Sequence, residues 1–167
     1  MKTVCIFGGS GFLGKHIVRR LSKFNYKIII PTSKISNTSS LKIYGNQGQI
    51  IPIEINNNDH KQISNILNES NYIINLRTIW TEDSNRKFNK EIFDLNKLIV
   101  NILKNDISKK FIYFSGLGIN DKNKSLRIKS IEKIAKLSKI GPPMAKVEKI
   151  ILKELFDTNE YDIFEIK

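Results

Sequence analysis

Four glycines stand within the first fourteen residues, at Gly8, Gly9, Gly11 and Gly14, in a G-x-x-G-x-x-G pattern with a second G-x-G spacing inside it. They follow a β-branched and aromatic run over residues 3–7. They precede a stretch that brings Phe12, Leu13, Ile17, Val18 and Leu21 to one helical face. Strand, tight turn and helix in that order suit one kind of chemistry, the holding of a pyrophosphate. A helix N-terminus offers unpaired N–H groups and the positive end of its dipole, and glycine keeps side chains out of the way. Gly8 is expected to make the sharp turn, Gly11 to admit the phosphates and Gly14 to let the helix pack against the strand. Ser10, Phe12 and Leu13 complete the cradle.

The end of the second strand chooses between dinucleotides. NAD is usually marked there by a carboxylate that accepts from the ribose 2′-hydroxyl, whereas a 2′-phosphate needs donors and cations. The residues in that run are Pro31, Thr32, Ser33 and Lys34, with no Asp or Glu among them. Ser33 can donate, and Lys34 together with Lys15 can pair with a phosphate, which favours NADP(H), NAD(H) remaining the alternative.

Other reactive residues are few. Ser115, at the end of a predicted fifth strand, lacks a base as a nucleophile, because His16 and His60 fall in predicted helices of the first half. Two histidines and the lone Cys5 make no metal site. Arg77 and Trp80 follow the fourth predicted strand and could line the same crevice as the glycines, Trp80 equally well as a packing residue.

The elements that position these residues alternate. Strands are expected at residues 3–7, 26–30, 49–53, 71–76, 110–114 and 161–166, with Pro31 ending the second and Pro52 placing the third at a sheet edge. Helices are expected at about 12–21, 41–45, 59–67 and 87–105, and two basic ones at 125–139 and 144–156 on either side of Gly141-Pro142-Pro143; residues 32–40 read as a polar connection. Parallel neighbours need crossover helices, so the pattern predicts a doubly wound α/β Rossmann fold of about six strands in the order 3-2-1-4-5-6. The ligand then belongs where the first and fourth strands diverge.

A length of 167 residues is about one domain, which excludes two large ones. One cysteine excludes a disulfide framework. No apolar run approaches the ~20 residues that span a bilayer, and no secretion signal is read at the N-terminus; a cytoplasmic location is expected. The net charge of +12 points to an anionic partner. It has a second source in coding drift, since 30 Ile, 18 Asn and 23 Lys stand against 2 Ala. Residues 121–154 hold ten basic and four acidic side chains, read as two solvated basic helices in preference to a docking surface.

The run Val4-Cys5-Ile6-Phe7-Gly8-Gly9-Ser10-Gly11-Phe12-Leu13-Gly14-Lys15-His16 resembles the start of atypical short-chain dehydrogenase/reductase (SDR) proteins, in particular the NAD(P)-binding accessory subunit of respiratory complex I and its bacterial relatives. Gly48 to Pro52, Ile73 to Leu76 and Lys110 to Ser115 extend the resemblance over roughly the first 120 residues. It implies an NADP(H)-binding Rossmann domain with Asn56 near the adenine, and Leu76 and Arg77 in the segment alongside the phosphates and nicotinamide ribose. Complex I, reached peripherally at the inner membrane, is the partner it implies. Catalytic members use a Ser, a Tyr and a Lys four residues later for proton transfer. Ser115 and Lys146 match two of these roles, but Pro142 stands where the tyrosine belongs, and no tyrosine occurs between Tyr113 and Tyr161. The family's C-terminal substrate lobe also has no counterpart, so residues 1–167 read as the nucleotide-binding domain alone. The expectation is a structural or regulatory NADP(H)-binding protein without catalysis. Its rivals are an active oxidoreductase or epimerase, a basic module for RNA or an acidic protein, with nucleic acid disfavoured, and a truncated remnant of a longer protein.

Overall fold

The computed structural model describes residues 1–56, 59–79, 81–84, 86–103, 106 and 108–113. Five parallel strands carry them: β1 (Lys2–Phe7), β2 (Tyr26–Thr32), β3 (Ile50–Glu54), β4 (Tyr72–Asn75) and β5 (Lys110–Tyr113), in the order β3-β2-β1-β4-β5. The expected order holds for these five. The sixth strand, the two basic helices, Trp80, Ser115 and Lys146 lie outside the described residues.

Alternation along β1 builds two cores. Val4 and Ile6 join Ile28, Ile30 and Ile74 on one side of the sheet, under the helix α1 (Phe12–Leu21) and a 3-10 helix, Ile35–Tyr44. Cys5 and Phe7 join Ile29 and Ile73 on the other, under α2 (His60–Asn68) and α3 (Leu95–Leu103). Burial on both faces explains why the run reads as continuously apolar, as central parallel strands do.

Four differences from the sequence expectation have local causes. First, β2 continues through Pro31 to Thr32. Ile28 N–H donates to Gln49 and the Thr32 carbonyl accepts from Ile55, so the even-numbered residues of β2 bond to β3. Pro31 therefore turns its missing N–H toward β1, past the last β1–β2 pair, Cys5 with Ile29, and no ladder bond is lost. Pro52 lies on the edge strand as expected.

Second, Phe12 and Leu13 leave the apolar face: they are 85% and 43% exposed, whereas Gly14, Ile17, Val18 and Leu21 are buried. At 100° per residue Phe12 sits about 140° from Ile17 around the helix. Third, the connection after β2 is a helix already from Ile35, with the Thr38 hydroxyl donating to the Ile35 carbonyl at 2.8 Å. Fourth, the long helix expected at 87–105 opens with a π-helical turn, Asn89–Asp94, before α3. Asn96 Nδ2 donates to the Ile92 carbonyl at 2.6 Å, the acceptor one α-turn before it, and such insertions disturb the regular ladder.

Side chains tie the remaining ends. Asp59 caps α2 by accepting from the Gln62 N–H at 2.9 Å. The Lys109 ammonium spends its donors on the carbonyls of Leu67, Asn68 and Ser70, where the α2 dipole is negative. Buried Gln49 donates to the carbonyls of Ser22 and Phe24, joining the end of α1 to the start of β3.

Candidate functional site

At the carboxyl end of β1 the chain turns at Gly8 with φ +79°, a conformation that favours glycine. A Cβ on Gly8 would also stand 3.2 Å from the Arg77 N, so the turn lies against the chain leaving β4. Gly11 N–H closes the turn on the Gly8 carbonyl at 3.0 Å. Gly11 is then the extended residue before α1, with no side-chain cap, and no acid follows in the first turn. Lys15 N–H takes the Gly11 carbonyl at 3.0 Å, which leaves the N–H groups of Phe12, Leu13 and Gly14 as the open donors of the helix start. Gly14 packs on the turn itself rather than on the strand: a Cβ there would meet the Gly9 Cα at 2.6 Å.

A cleft of about 310 Å³ opens beside this turn. Gly8, Ser10 and Gly11 form one wall, Thr32 and Ser33 at the end of β2 another, and Leu76 and Arg77 after β4 the third. Six of the twelve residues expected from the sequence, Gly8, Ser10, Gly11, Ser33, Leu76 and Arg77, are thus brought to one place. Its position, where β2 and β4 leave β1 on opposite sides, is the switch point of the topology.

The remaining expected residues stand apart from the lining. Phe12, Leu13 and Gly14 form the start of α1 after Gly11 and are outside the lining, and Lys15, Lys34 and Asn56 are exposed and outside it as well. Lys34 is held by its backbone: its N–H donates to the Thr32 hydroxyl at 3.3 Å, and that hydroxyl donates to its carbonyl at 3.0 Å. Arg77 reaches the cleft through its main chain, whose N–H the Asn75 side chain accepts at 3.0 Å, while its guanidinium pairs with Glu91 at 2.9 Å. That pair lies in a separate groove of about 480 Å³ between α2 and the helix opening at Asn89, where His60 also stands. His16 packs edge-on against Phe12, with ring centres 5.1 Å apart. Among the described residues no group of His, Cys, Asp and Glu is placed to hold a metal ion.

Sequence reasoning missed two contributors. Asn37, inside the stretch read as a polar connection, lines the cleft. Glu54 pairs in register with Thr32, and its carboxylate accepts from the Ile35 N–H at 3.3 Å. A carboxylate therefore does stand beside the end of β2, supplied by the neighbouring strand. The pairing register carries that information and the order of residues does not.

The fold and cleft define a Rossmann-type α/β protein with its glycine turn at the switch point. The family model that matches is the NmrA-like family, over residues 1–139, and the chain belongs to that family, an atypical SDR group in which NAD(P) binding is typical. Over 129 residues it is 32% identical to the mitochondrial NADH dehydrogenase (ubiquinone) 1 alpha subcomplex subunit 9 of Rattus norvegicus, covering 75% of this chain and 34% of that protein. The subunit of the same name from Arabidopsis thaliana is 31% identical over 87 residues, 52% of this chain and 21% of its own length. The chain thus spans about a third or less of the length of these relatives. Among solved structures, a putative NAD-dependent epimerase/dehydratase from Bacillus halodurans superposes with a TM-score of 0.68 at 11% identity, over 82% of this chain and 64% of that one. UDP-glucuronic acid 4-epimerase from Bacillus cereus, solved in complex with NAD, gives 0.62 at 18% identity, over 81% and 50%. These two likenesses concern the fold. Among the described residues no helix is long and apolar enough to cross a membrane.

Proposed function

We propose that the cleft binds NADP(H) and that the protein uses the bound nucleotide structurally or as a regulatory signal rather than for turnover. The observation that carries this reading is the uncapped start of α1 directly after Gly11, beside a cleft walled by Gly8, Ser10, Gly11, Thr32, Ser33 and Leu76. The diphosphate lies on the N–H groups of Phe12, Leu13 and Gly14. The adenosine end lies toward Ser33 and Lys34, with Asn56 near the adenine, and the nicotinamide end lies along Leu76 and Arg77. Lys15 and Lys34 supply the cations that a 2′-phosphate needs. Glu54 acts against this preference, since its charge repels the same phosphate.

Absence of turnover rests on the sequence. Proline can neither take nor give a proton, and Pro142 holds the position four residues before Lys146. Ser115 and Lys146 are the residues an active enzyme would need. The relatives named for NADH dehydrogenase suggest a protein partner of the respiratory complex I type.

Calorimetric titration of the full chain with NADPH and NADH tests the reading. Tighter binding of NADPH is expected, with no steady NADPH oxidation when carbonyl or sugar-nucleotide substrates are added. Flat traces with both nucleotides overturn it, and oxidation that disappears in Lys146→Ala replaces it by an active oxidoreductase.

A further inference from the structure

All sixteen Asp and Glu residues of the chain lie at Glu54 or beyond, whereas residues 1–53 carry eight Lys and Arg. The fold converts this bias along the chain into a face. α1 and the 3-10 helix lie side by side on one side of the sheet, and Arg19 of α1 stands over the Tyr44 ring at 5.9 Å. Lys15, Arg19, Lys23 and Lys42 are exposed on these two helices or at their ends. Glu54, accepting from Ile35, marks the border of the face at the cleft end. The opposite side of the sheet is mixed, with Glu69, Glu91 and Asp94 interspersed among Lys61, Lys90 and Lys97.

The same face exposes large apolar side chains. Phe12 is 85% exposed, Ile43 78% and Ile35 43%, and Tyr44 adds a half-exposed ring. Apolar side chains among cations of a single sign meet the requirements of an anionic lipid surface, where the apolar groups enter the headgroup boundary and lysine stems extend to the phosphates. A protein partner fits less well. Protein interfaces fix register with charges of both signs and are depleted in lysine, whereas three of the four cations here are lysines.

We propose that the face formed by α1 and the 3-10 helix docks on an anionic phospholipid bilayer, with Phe12, Ile35 and Ile43 entering the headgroup boundary. The proposal rests on no part of the nucleotide reading, and Lys23, Lys42 and Ile43 lie outside the cleft lining.

Flotation of the full chain with vesicles of phosphatidylcholine, and with vesicles containing phosphatidylglycerol as roughly a third of their lipid, tests it. The chain is expected to float with the anionic vesicles alone and to be released by added salt. Lys23→Glu and Lys42→Glu should each lower partitioning about tenfold, and Ile43→Ser should lower it about threefold to tenfold. Lys90→Glu with Lys97→Glu, on the opposite face, should leave it unchanged. The proposal is overturned if the chain stays in solution with anionic vesicles, or if the Lys90 and Lys97 pair abolishes flotation while the Lys23 and Lys42 changes do not. It is also overturned if Ile43→Ser has no effect while polyglutamate binds the chain in a Lys42-dependent way, which would identify an acidic polypeptide as the partner.

Discussion

The Asn75 side chain donates to Oδ1 of Asn96 at 2.8 Å with both residues sealed from solvent, so the last residue of β4 is tied to the second residue of α3. The two amides are then nearly satisfied: Asn75 Oδ1 accepts from the Arg77 N–H, and Asn96 Nδ2 donates to Ile92. A buried amide that loses its partner keeps its desolvation cost. Asn96→Leu should therefore destabilise the fold by about 1–3 kcal/mol, read as a lower midpoint in urea with an unchanged slope. Because Asn75 also sets the Arg77 main chain against Gly8, nucleotide affinity should fall with it. A midpoint equal to that of the parent would show that the pair contributes nothing net.

Two glycines of the turn should fail in different ways. At Gly14 a side chain would collide with the backbone of Gly9, and backbone cannot yield cheaply. Gly14→Val is expected to cost about 1–3 kcal/mol of stability as well as binding. At Gly11 the nearest obstacle to a Cβ is the Gly8 carbonyl at 3.2 Å, and the residue is exposed with a negative φ. Gly11→Asp should fold with a nearly unchanged melting temperature yet lose NADPH binding, because it puts a carboxylate on the phosphate donors. Retained binding in Gly11→Asp would remove the diphosphate from this turn.

Lys34 and Glu54 oppose each other in the choice of nucleotide. Removing the cation in Lys34→Ala should weaken NADPH about tenfold, the scale of one charge-assisted hydrogen bond, and leave NADH nearly unchanged. Glu54→Gln should strengthen NADPH by relieving repulsion. Paired titrations of both variants with both nucleotides decide the matter, and an equal effect on NADH and NADPH would place the ribose elsewhere.

The parts of the molecule that were legible in the sequence are those whose signal is local. β1 is a continuous apolar run, α1 has Ile17, Val18 and Leu21 at helical spacing, and Pro52 marks an edge. What escaped depends on neighbours. The 3-10 helix has no apolar period to show, because hydroxyls of Thr38 and Ser39 turning back on the Ile35 carbonyl help hold its first turn. Pro31 could be read as a strand end only while the side it faces was unknown. Glu54 enters the end of β2 by register alone. Six of the expected residues line one cleft because a glycine turn and two strand ends are sequence features, whereas the direction taken by the Arg77 side chain is set by Glu91, fourteen positions on.

Cys5 provides a check on the fold that needs no ligand. Its thiol is completely buried between β2 and β4 and packs among Phe7, Ile29 and Ile73. Loss of hydration pushes its pKa up strongly, since the thiolate has no place in that core. Two outcomes are expected. A thiol reagent should label the native chain only as fast as it opens, and labelling should become immediate in denaturant. The linkage has a definite sign: the folded thiol stays protonated where the unfolded one ionises, so the contribution of Cys5 is constant below about pH 8.5 and is lost progressively above it. Stability of the parent should therefore decline above that pH by more than that of Cys5→Ala, which is expected to be less stable at neutral pH. Rapid labelling under native conditions would mean that the central strand is not sealed on that side, and the two-core arrangement around β1 would be wrong.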